Sequence, residues 1–235
     1  MHCGVVGIYD VSQKENVAWL LYAGLLALQH RGKESAGIAT YSEEGLNWHG
    51  DMGTVEWVFK GGILPGLKGS CGIAHNRYST TGGSKPENIQ PIVAKFQGRE
   101  FAVAHNGNLI NTKLLRKECE DKGYRFKGDT DTEVIAALVS LSGCRDSEEA
   151  VRKTLPRLKG AFALVFVFED KVIGVSDPLK IRPLCIGKRG DCYILASESC
   201  ALDILEATFI RDLDSGEMMV LDKDGIKPIE WAKEA

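Results

Sequence analysis

The apolar runs of this chain arrive as a group of strands, then a group of helices, then a second group of strands, with no regular β-α-β alternation. Parallel strands need a crossover, usually a helix, between each pair, so this order predicts an α+β chain with antiparallel sheets and segregated helices. Gly4–Tyr9 reads as a buried strand. Asn16 is placed to cap a helix over Val17–Gln29, whose apolar positions are too continuous for a one-sided surface helix and predict a largely buried one. Strands are expected at Ile38–Tyr41, Leu46–His49, Gly72–Arg77, Ile92–Phe96 and Phe101–His105. Asn106-Gly107 then reads as a tight turn. Helices at Asn111–Lys122, Thr132–Leu141 and Ser147–Leu158 each begin near a plausible cap. Strands follow at Ala161–Phe168, Val172–Ser176, Leu184–Ile186 and Tyr193–Ala196, then a helix at Ser199–Leu205 and a strand at Glu217–Leu221. No repeat or Pro/Ser-rich linker divides the sequence, so residues 1–235 read as one domain.

Composition narrows the class. With 44% apolar and 26% charged residues the chain belongs with ordinary globular proteins, and its length allows a sizeable core. A net charge of -3 argues against a nucleic-acid partner, which calls for a basic stripe. The most apolar helix-like run, Val17–Leu28, is broken by Gly24 and falls short of the roughly 18 residues that span a bilayer. No membrane partner and no secretory leader are therefore expected. The seven cysteines are odd in number and lack a C-x-x-C pair, and Cys185, Cys192 and Cys200 are too far apart, with no histidine near, for a finger-type zinc site. Most of them read as small buried residues in a reducing cytoplasm, with no metal and no cofactor.

Three polar loops exceed what a scaffold requires: His30-Arg31-Gly32 with Glu34 and Ser35; His75-Asn76-Arg77-Tyr78-Ser79-Thr80; and His105-Asn106-Gly107-Asn108, followed by Asp129-Thr130-Asp131-Thr132-Glu133. A thiol also lies near the chain start, at Cys3. If Met1 and His2 are removed, Cys3 carries a nucleophile and its own base, because an α-amine titrates near 7.7–8.0 and a thiol near 8.5. Arg77 reads either as a surface ion-pair partner or as a bidentate carboxylate reader. Asn106-Gly107 is either a hairpin turn or the amide donor and backbone N–H of an oxyanion hole. Asp131 suits the positive end of the helix after it and is also compatible with binding an ammonium. His75 and His105 read as satisfied structural histidines. A thiol, a guanidinium, a carboxylate and an oxyanion hole together suit an amide carrying an amino-acid head group, that is, glutamine.

Cys3-Gly4-Val5-Val6-Gly7-Ile8, Leu28-Gln29-His30-Arg31-Gly32, His75-Asn76-Arg77-Tyr78-Ser79-Thr80, Ala104-His105-Asn106-Gly107-Asn108-Leu109 and Asp131-Thr132-Glu133 resemble the class II glutamine amidotransferases. Within that group they are most similar to the glutaminase domain of amidophosphoribosyltransferases. Ile181-Arg182-Pro183-Leu184 and Ala196-Ser197-Glu198-Ser199-Cys200-Ala201-Leu202 extend the likeness almost to the C-terminus. The resemblance implies an N-terminal-nucleophile hydrolase fold, a four-layer αββα sandwich. It implies that Cys3 attacks the glutamine side-chain amide with its α-amine as base, forming a glutamyl thioester, and that Asn106 and Gly107 hold the oxyanion. Arg77 would take the α-carboxylate and Asp131 the α-amine, with Tyr78, Thr80 and Arg31 completing the substrate site.

The chain departs from the family pattern at four places. His2 separates Met1 from the nucleophile, so a two-residue leader is expected to be removed. Ser176 to Pro183 differs from the family's Arg-Asp-Pro-x-Gly-Ile-Arg-Pro, Lys33 stands where glutamine is usual, and no phosphoribosyltransferase segment is recognisable. The favoured expectation is a stand-alone glutaminase subunit passing ammonia to a separate synthase chain, a split glutamate synthase being the first guess. Its partners would be L-glutamine and that subunit, with a homo-oligomer among the allowed assemblies. The competing expectations are a catalytically silent glutamine-binding module, a nucleophile hydrolase for another amide, and an excised domain of an amidophosphoribosyltransferase-like enzyme. Intact-mass measurement separates the glutaminase from the silent module: the enzyme is expected to lack Met1 and His2, and a chain that keeps both residues contradicts an amine base.

Overall fold

The computed structural model describes residues 3–78 and 83–233. Among them, the strands are β1 (Gly4–Asp10), β2 (Ser35–Ser42), β3 (Gly45–Met52), β4 (Cys71–Arg77), β5 (Ile92–Phe96), β6 (Arg99–Leu109), β7 (Gly160–Val167), β8 (Val172–Ser176), β9 (Cys185–Arg189), β10 (Cys192–Ala196), β11 (Thr208–Asp212), β12 (Glu217–Asp222) and β13 (Gly225–Glu230). The helices are α1 (Ala18–Ala27), α2 (Val55–Val58), α3 (Thr112–Asp121), α4 (Asp131–Ser140), α5 (Ser147–Thr154) and α6 (Ser199–Ile204). A seven-stranded sheet runs β11-β9-β10-β1-β4-β2-β3 and a six-stranded sheet runs β13-β12-β8-β7-β6-β5. The paired strands are antiparallel, as the order of apolar runs predicts.

Strand alternation sorts the core into three layers. On β1, Val6 and Ile8 face α1 and α6, while Val5 and Tyr9 face the second sheet. On β6 and β7, Phe101, Val103, Phe162, Leu164 and Phe166 meet α3, α4 and α5, while Ala102, Ala104, Ala163 and Val165 face the first sheet. Both central strands are therefore buried on two faces, and the result is the αββα sandwich. The layer between the sheets is narrow at β1: a Cβ on Gly7 would lie 2.5 Å from Val165 Cγ1. Here the missing side chain admits the opposite sheet.

Three expectations need correction. Asn106-Gly107 is not a turn: β6 runs through it, with Asn106 opposite Ala163 and Gly107 opposite Phe162 on β7. The real hairpin turn before β6 is Gln97-Gly98, both at positive φ (50° and 82°). Helix α1 is buried on one face only, through Ala18, Leu21, Gly24 and Leu25, whereas Trp19 on its outer face is 56% exposed. A helix in an outer layer has one sheet to lie on, however apolar its remaining faces are. The sequence reading also lacks α2, β11 and β13, each too short or too polar to stand out. Asn111 does not cap α3 but bonds Lys159 N–H and the Arg157 carbonyl, whereas Thr130 and Asp146 do cap α4 and α5.

No helix among the described residues is long and apolar enough to cross a membrane. Ile135, fully buried in α4 against the second sheet, tests the packing. Ile135→Ala is expected to lower unfolding free energy by about 2–5 kcal/mol in urea titration. A loss under about 1 kcal/mol contradicts a close-packed helix–sheet layer.

Candidate active site

Three strands deliver their polar residues to one end of the space between the sheets. On β4 the odd positions point between the sheets, as Ile73 shows, so His75 and Arg77 do too, while Asn76 points back to α1. On β6 the even positions Ala102 and Ala104 face the first sheet, so Asn106 faces it as well, and His105 faces the helices. Cys3 lies at the head of β1, buried, with its Sγ 3.4 Å from the Tyr78 N–H and 3.5 Å from the Tyr78 carbonyl oxygen.

The backbone around Cys3 is held at each step. Gly4 N–H donates to Asn76 Oδ1 at 2.8 Å, and Val5 N–H donates to Ser197 Oγ at 2.9 Å. Arg31 Nε donates to the Cys3 carbonyl at 2.8 Å. Asn106 completes the ring: with its amide set so that the oxygen faces the donor-only guanidinium, Oδ1 accepts from Arg31 Nη2 at 3.1 Å and Nδ2 donates to the Cys3 carbonyl at 3.3 Å. Glycine is required at position 4, where a Cβ would strike Asn76 Oδ1, and at position 32, where it would sit 2.5 Å from the Arg77 carbonyl.

The edge of β6 that faces away from β7 carries a row of N–H groups. Phe162, opposite Gly107, gives its N–H and its carbonyl to Asp177, so Gly107 turns its own N–H outward. The flanking N–H groups on that edge are taken: His105 donates to Gln90 Oε1 at 2.7 Å and Leu109 to Asp131 Oδ2 at 2.9 Å. Pairing with β5 ends at Val103, so the Gly107 N–H lies beyond the ladder. A Cβ on Gly107 would meet the Ala161 carbonyl and lie 2.7 Å from His105 Nε2.

Electrostatics divides the cysteines. Burial pushes Cys71, Cys185 and Cys192 up to about 12, leaving inert thiols. Burial raises Cys3 as well, but there the Tyr78 N–H and the Arg77 and Arg31 charges pull against it. Arg77 is buried and held by Glu34 Oε1 at 2.8 Å and the Gly83 carbonyl at 3.1 Å. Burial acts to raise the Asp131 carboxyl, but His105 Nδ1 at 3.4 Å and the Leu109 and Thr132 N–H groups outweigh it and hold it below the usual range. Burial pushes His75 down to about 3, so it is neutral and donates Nε2–H to the His105 carbonyl at 3.2 Å.

Cys3, Arg31, Arg77, Asn106 and Gly107 thus gather at one end of the sheets, and Asp131 joins them across His105 and Leu109. Tyr78 contributes main-chain groups at the sulfur, while its ring is exposed. Thr80 lies outside the described residues. His75 and His105 are each satisfied at one ring nitrogen only, leaving His75 Nδ1 and His105 Nε2 without partners. Gln90, Ser197 and Glu198 belong to the site's support; Ser197 and Glu198 lie in a stretch that carries the family resemblance, but nothing local in the sequence shows that they serve the site. Their partners lie between fifteen and 192 residues away. No group of three or more His, Cys, Asp or Glu among the described residues could hold a metal ion.

Asp131 makes the site's electrostatics measurable. A carboxyl held below its unfolded value near 3.9 contributes stability that is present above that pH and is lost as pH falls through the folded value. The stability gap between wild type and Asp131→Asn in urea titrations is therefore expected to narrow as pH falls below about 4. A gap that stays constant from pH 7 to 3 contradicts it.

A family profile described as a glutamine amidotransferase domain matches residues 75–204, a little over half of the chain. The amidophosphoribosyltransferase of Methanocaldococcus jannaschii is 46% identical over 225 residues, which cover 95% of this chain and 47% of that protein. The glutamine phosphoribosylpyrophosphate amidotransferase of Bacillus subtilis, solved with ADP and GMP, superposes with a TM-score of 0.91 at 38% identity, over 98% of this chain and 49% of its own. A glutamine aminotransferase class-II domain protein from Silicibacter pomeroyi shares the fold at a TM-score of 0.61 and 16% identity, and is covered over its whole length. The chain spans about half the length of the curated relatives it matches. With the motifs on the strands that carry the site and a fold shared across nearly its whole length, this chain belongs to the glutamine amidotransferase domain family, in the class II branch with the N-terminal-nucleophile hydrolase fold.

Proposed function

We propose that this chain hydrolyses L-glutamine to glutamate and ammonia through a glutamyl thioester on Cys3, after Met1 and His2 are removed. The observation that carries the reading is the meeting of a thiol, a guanidinium, a side-chain amide and an outward backbone N–H where β1, β4 and β6 end together. The thiol needs a base, because burial holds its proton on. Freed as the first residue, Cys3 supplies that base through its α-amine.

The steps then balance. The amine takes the thiol proton and the sulfur attacks the side-chain carbonyl carbon. The resulting oxyanion lies against Asn106 Nδ2 and the Gly107 N–H, two preorganised donors. The protonated amine returns its proton to the departing nitrogen, and ammonia leaves. Water, deprotonated by the same amine, attacks the thioester and releases glutamate with a free thiol. Arg77 binds the α-carboxylate of glutamine and Asp131 its α-ammonium, with Tyr78 and Thr80 as further substrate-binding residues. Arg31 acts on Cys3 and Asn106 rather than on the substrate.

Ammonia passes to a synthase that aminates a second substrate. The relatives favour a phosphoribosyl acceptor, on this polypeptide or on a separate chain, over the glutamate-synthase acceptor expected first. A silent glutamine-binding module is the second reading, favoured by the raised thiol if Met1 and His2 stay in place.

Chain beginning at Cys3 is expected to release glutamate from glutamine, Cys3→Ala to release none, and Arg77→Lys to raise KM by about tenfold or more through loss of the planar two-pronged donor. Equal turnover by Cys3→Ala overturns the assignment. An unchanged KM in Arg77→Lys removes Arg77 from the substrate site.

A further inference from the structure

Arg31 touches both parts of the thiol site and is itself held from behind. Its Nε reaches the Cys3 carbonyl at 2.8 Å, its Nη2 reaches Asn106 Oδ1 at 3.1 Å, and its Nη1 donates to Glu198 Oε1. The Arg31 side chain is buried, and among the described residues Glu198 is the carboxylate paired with it. A guanidinium is planar and donor-only, so fixing one of its nitrogens fixes the directions of the others. Glu198 is itself fixed. Its second oxygen bonds His30 Nε2 at 3.0 Å, and it stands at the N-cap of α6, directly after Ser197. Ser197 grips the nucleophile strand twice, accepting from Val5 N–H at 2.9 Å and donating its own N–H to the Val5 carbonyl at 3.0 Å. One turn therefore holds both the strand that bears the thiol and the carboxylate behind Arg31.

The structure assigns Glu198 as a positioning residue for the thiol chemistry: through Arg31 it fixes the Cys3 carbonyl and sets which way the Asn106 amide points. Because Arg31 only donates, Asn106 must turn its oxygen to Arg31 and its nitrogen toward Cys3, which is the orientation an oxyanion donor needs. Without Glu198 a buried guanidinium loses its counter-charge and turns to another acceptor or to water. The Asn106 amide is then free to rotate. This inference rests on the glutaminase reading and extends it to a residue that touches no substrate.

Steady-state glutaminase kinetics on chain beginning at Cys3 test it, with wild type measured first. Wild type without turnover overturns the glutaminase reading and this inference with it. With wild type active, Glu198→Ala is expected to lose roughly 10- to 100-fold in kcat, the scale of a misplaced reacting group, while KM stays within about twofold. The KM expectation follows because, among the described residues, the side-chain bonds to Glu198 come from His30, Arg31 and Cys200. In Arg31→Ala the further change Glu198→Ala is expected to cost nothing more, since Glu198 acts through Arg31. Glu198→Gln keeps an acceptor for Arg31 but not the charge and is expected to lose about threefold to tenfold in kcat, with thermal unfolding close to wild type. It carries the test if Glu198→Ala does not fold. Wild-type kcat in a folded Glu198 variant, a loss confined to KM, or a loss that adds to that of Arg31→Ala overturns the assignment.

Discussion

The site depends on the contact between the two sheets. Cys3 and Arg77 come from one sheet and Asn106 and Gly107 from the other, so none of the proposed chemistry exists on either sheet alone. The sheets can close because their facing residues are small: Gly7 on β1 leaves room for Val165, and Ala102, Ala104 and Ala163 face back from β6 and β7. Close-packed layers transmit position, and a methylene added there would be felt at the strand ends. The same alternation that buries Val5 and Ala104 sends Arg77 and Asn106 toward Cys3. Packing and catalysis share one periodicity.

Much of this was legible in the residues. The order of strands and helices gave antiparallel sheets, and the strands Gly4–Tyr9, Gly72–Arg77 and Val172–Ser176 lie where their apolar runs indicate, within a residue or so. Cys3 could be picked out as a thiol near the chain start, Arg77 and Asn106 as polar residues where apolar strands run into polar loops, and Asp131 as a carboxylate at a helix start. Their grouping could not, since it depends on which sheet each strand joins. Asn106-Gly107 shows the limit clearly. As a dipeptide it signals a turn, yet β7 pairs on through it, and tertiary pairing overrides local preference. The glycine is needed for a different reason: the Ala161 carbonyl and His105 fill the space a side chain would take. The supporting roles of Ser197, Glu198 and Gln90 were not readable, because their partners at the site are remote in sequence.

The electrostatic design sets two demands against each other. Burying the thiol shields it from water and sets it near the proposed oxyanion donors, but it also holds the proton on sulfur. Elsewhere in the chain burial, helped by neighbouring carboxylates, pushes the Cys71 and Cys192 thiols up to about 12, where they are unreactive. At Cys3 the Tyr78 N–H and two buried guanidinium groups offset part of that cost. Each of those cations is paired in turn, Arg77 with Glu34 and Arg31 with Glu198. In the proposed mechanism the α-amine of the same residue supplies the base close to the sulfur. That places the whole mechanism on one covalent event, the exposure of Cys3 as the first residue.

The central claim is that carbon from glutamine becomes bonded to that sulfur. Acid-quenching the chain within its first turnovers on glutamine, followed by peptide mass spectrometry, reads the bond directly. The account expects a glutamyl adduct on the peptide that begins with Cys3, absent after hydroxylamine treatment. Turnover with no adduct on Cys3, or with the adduct on one of the other cysteines, contradicts it.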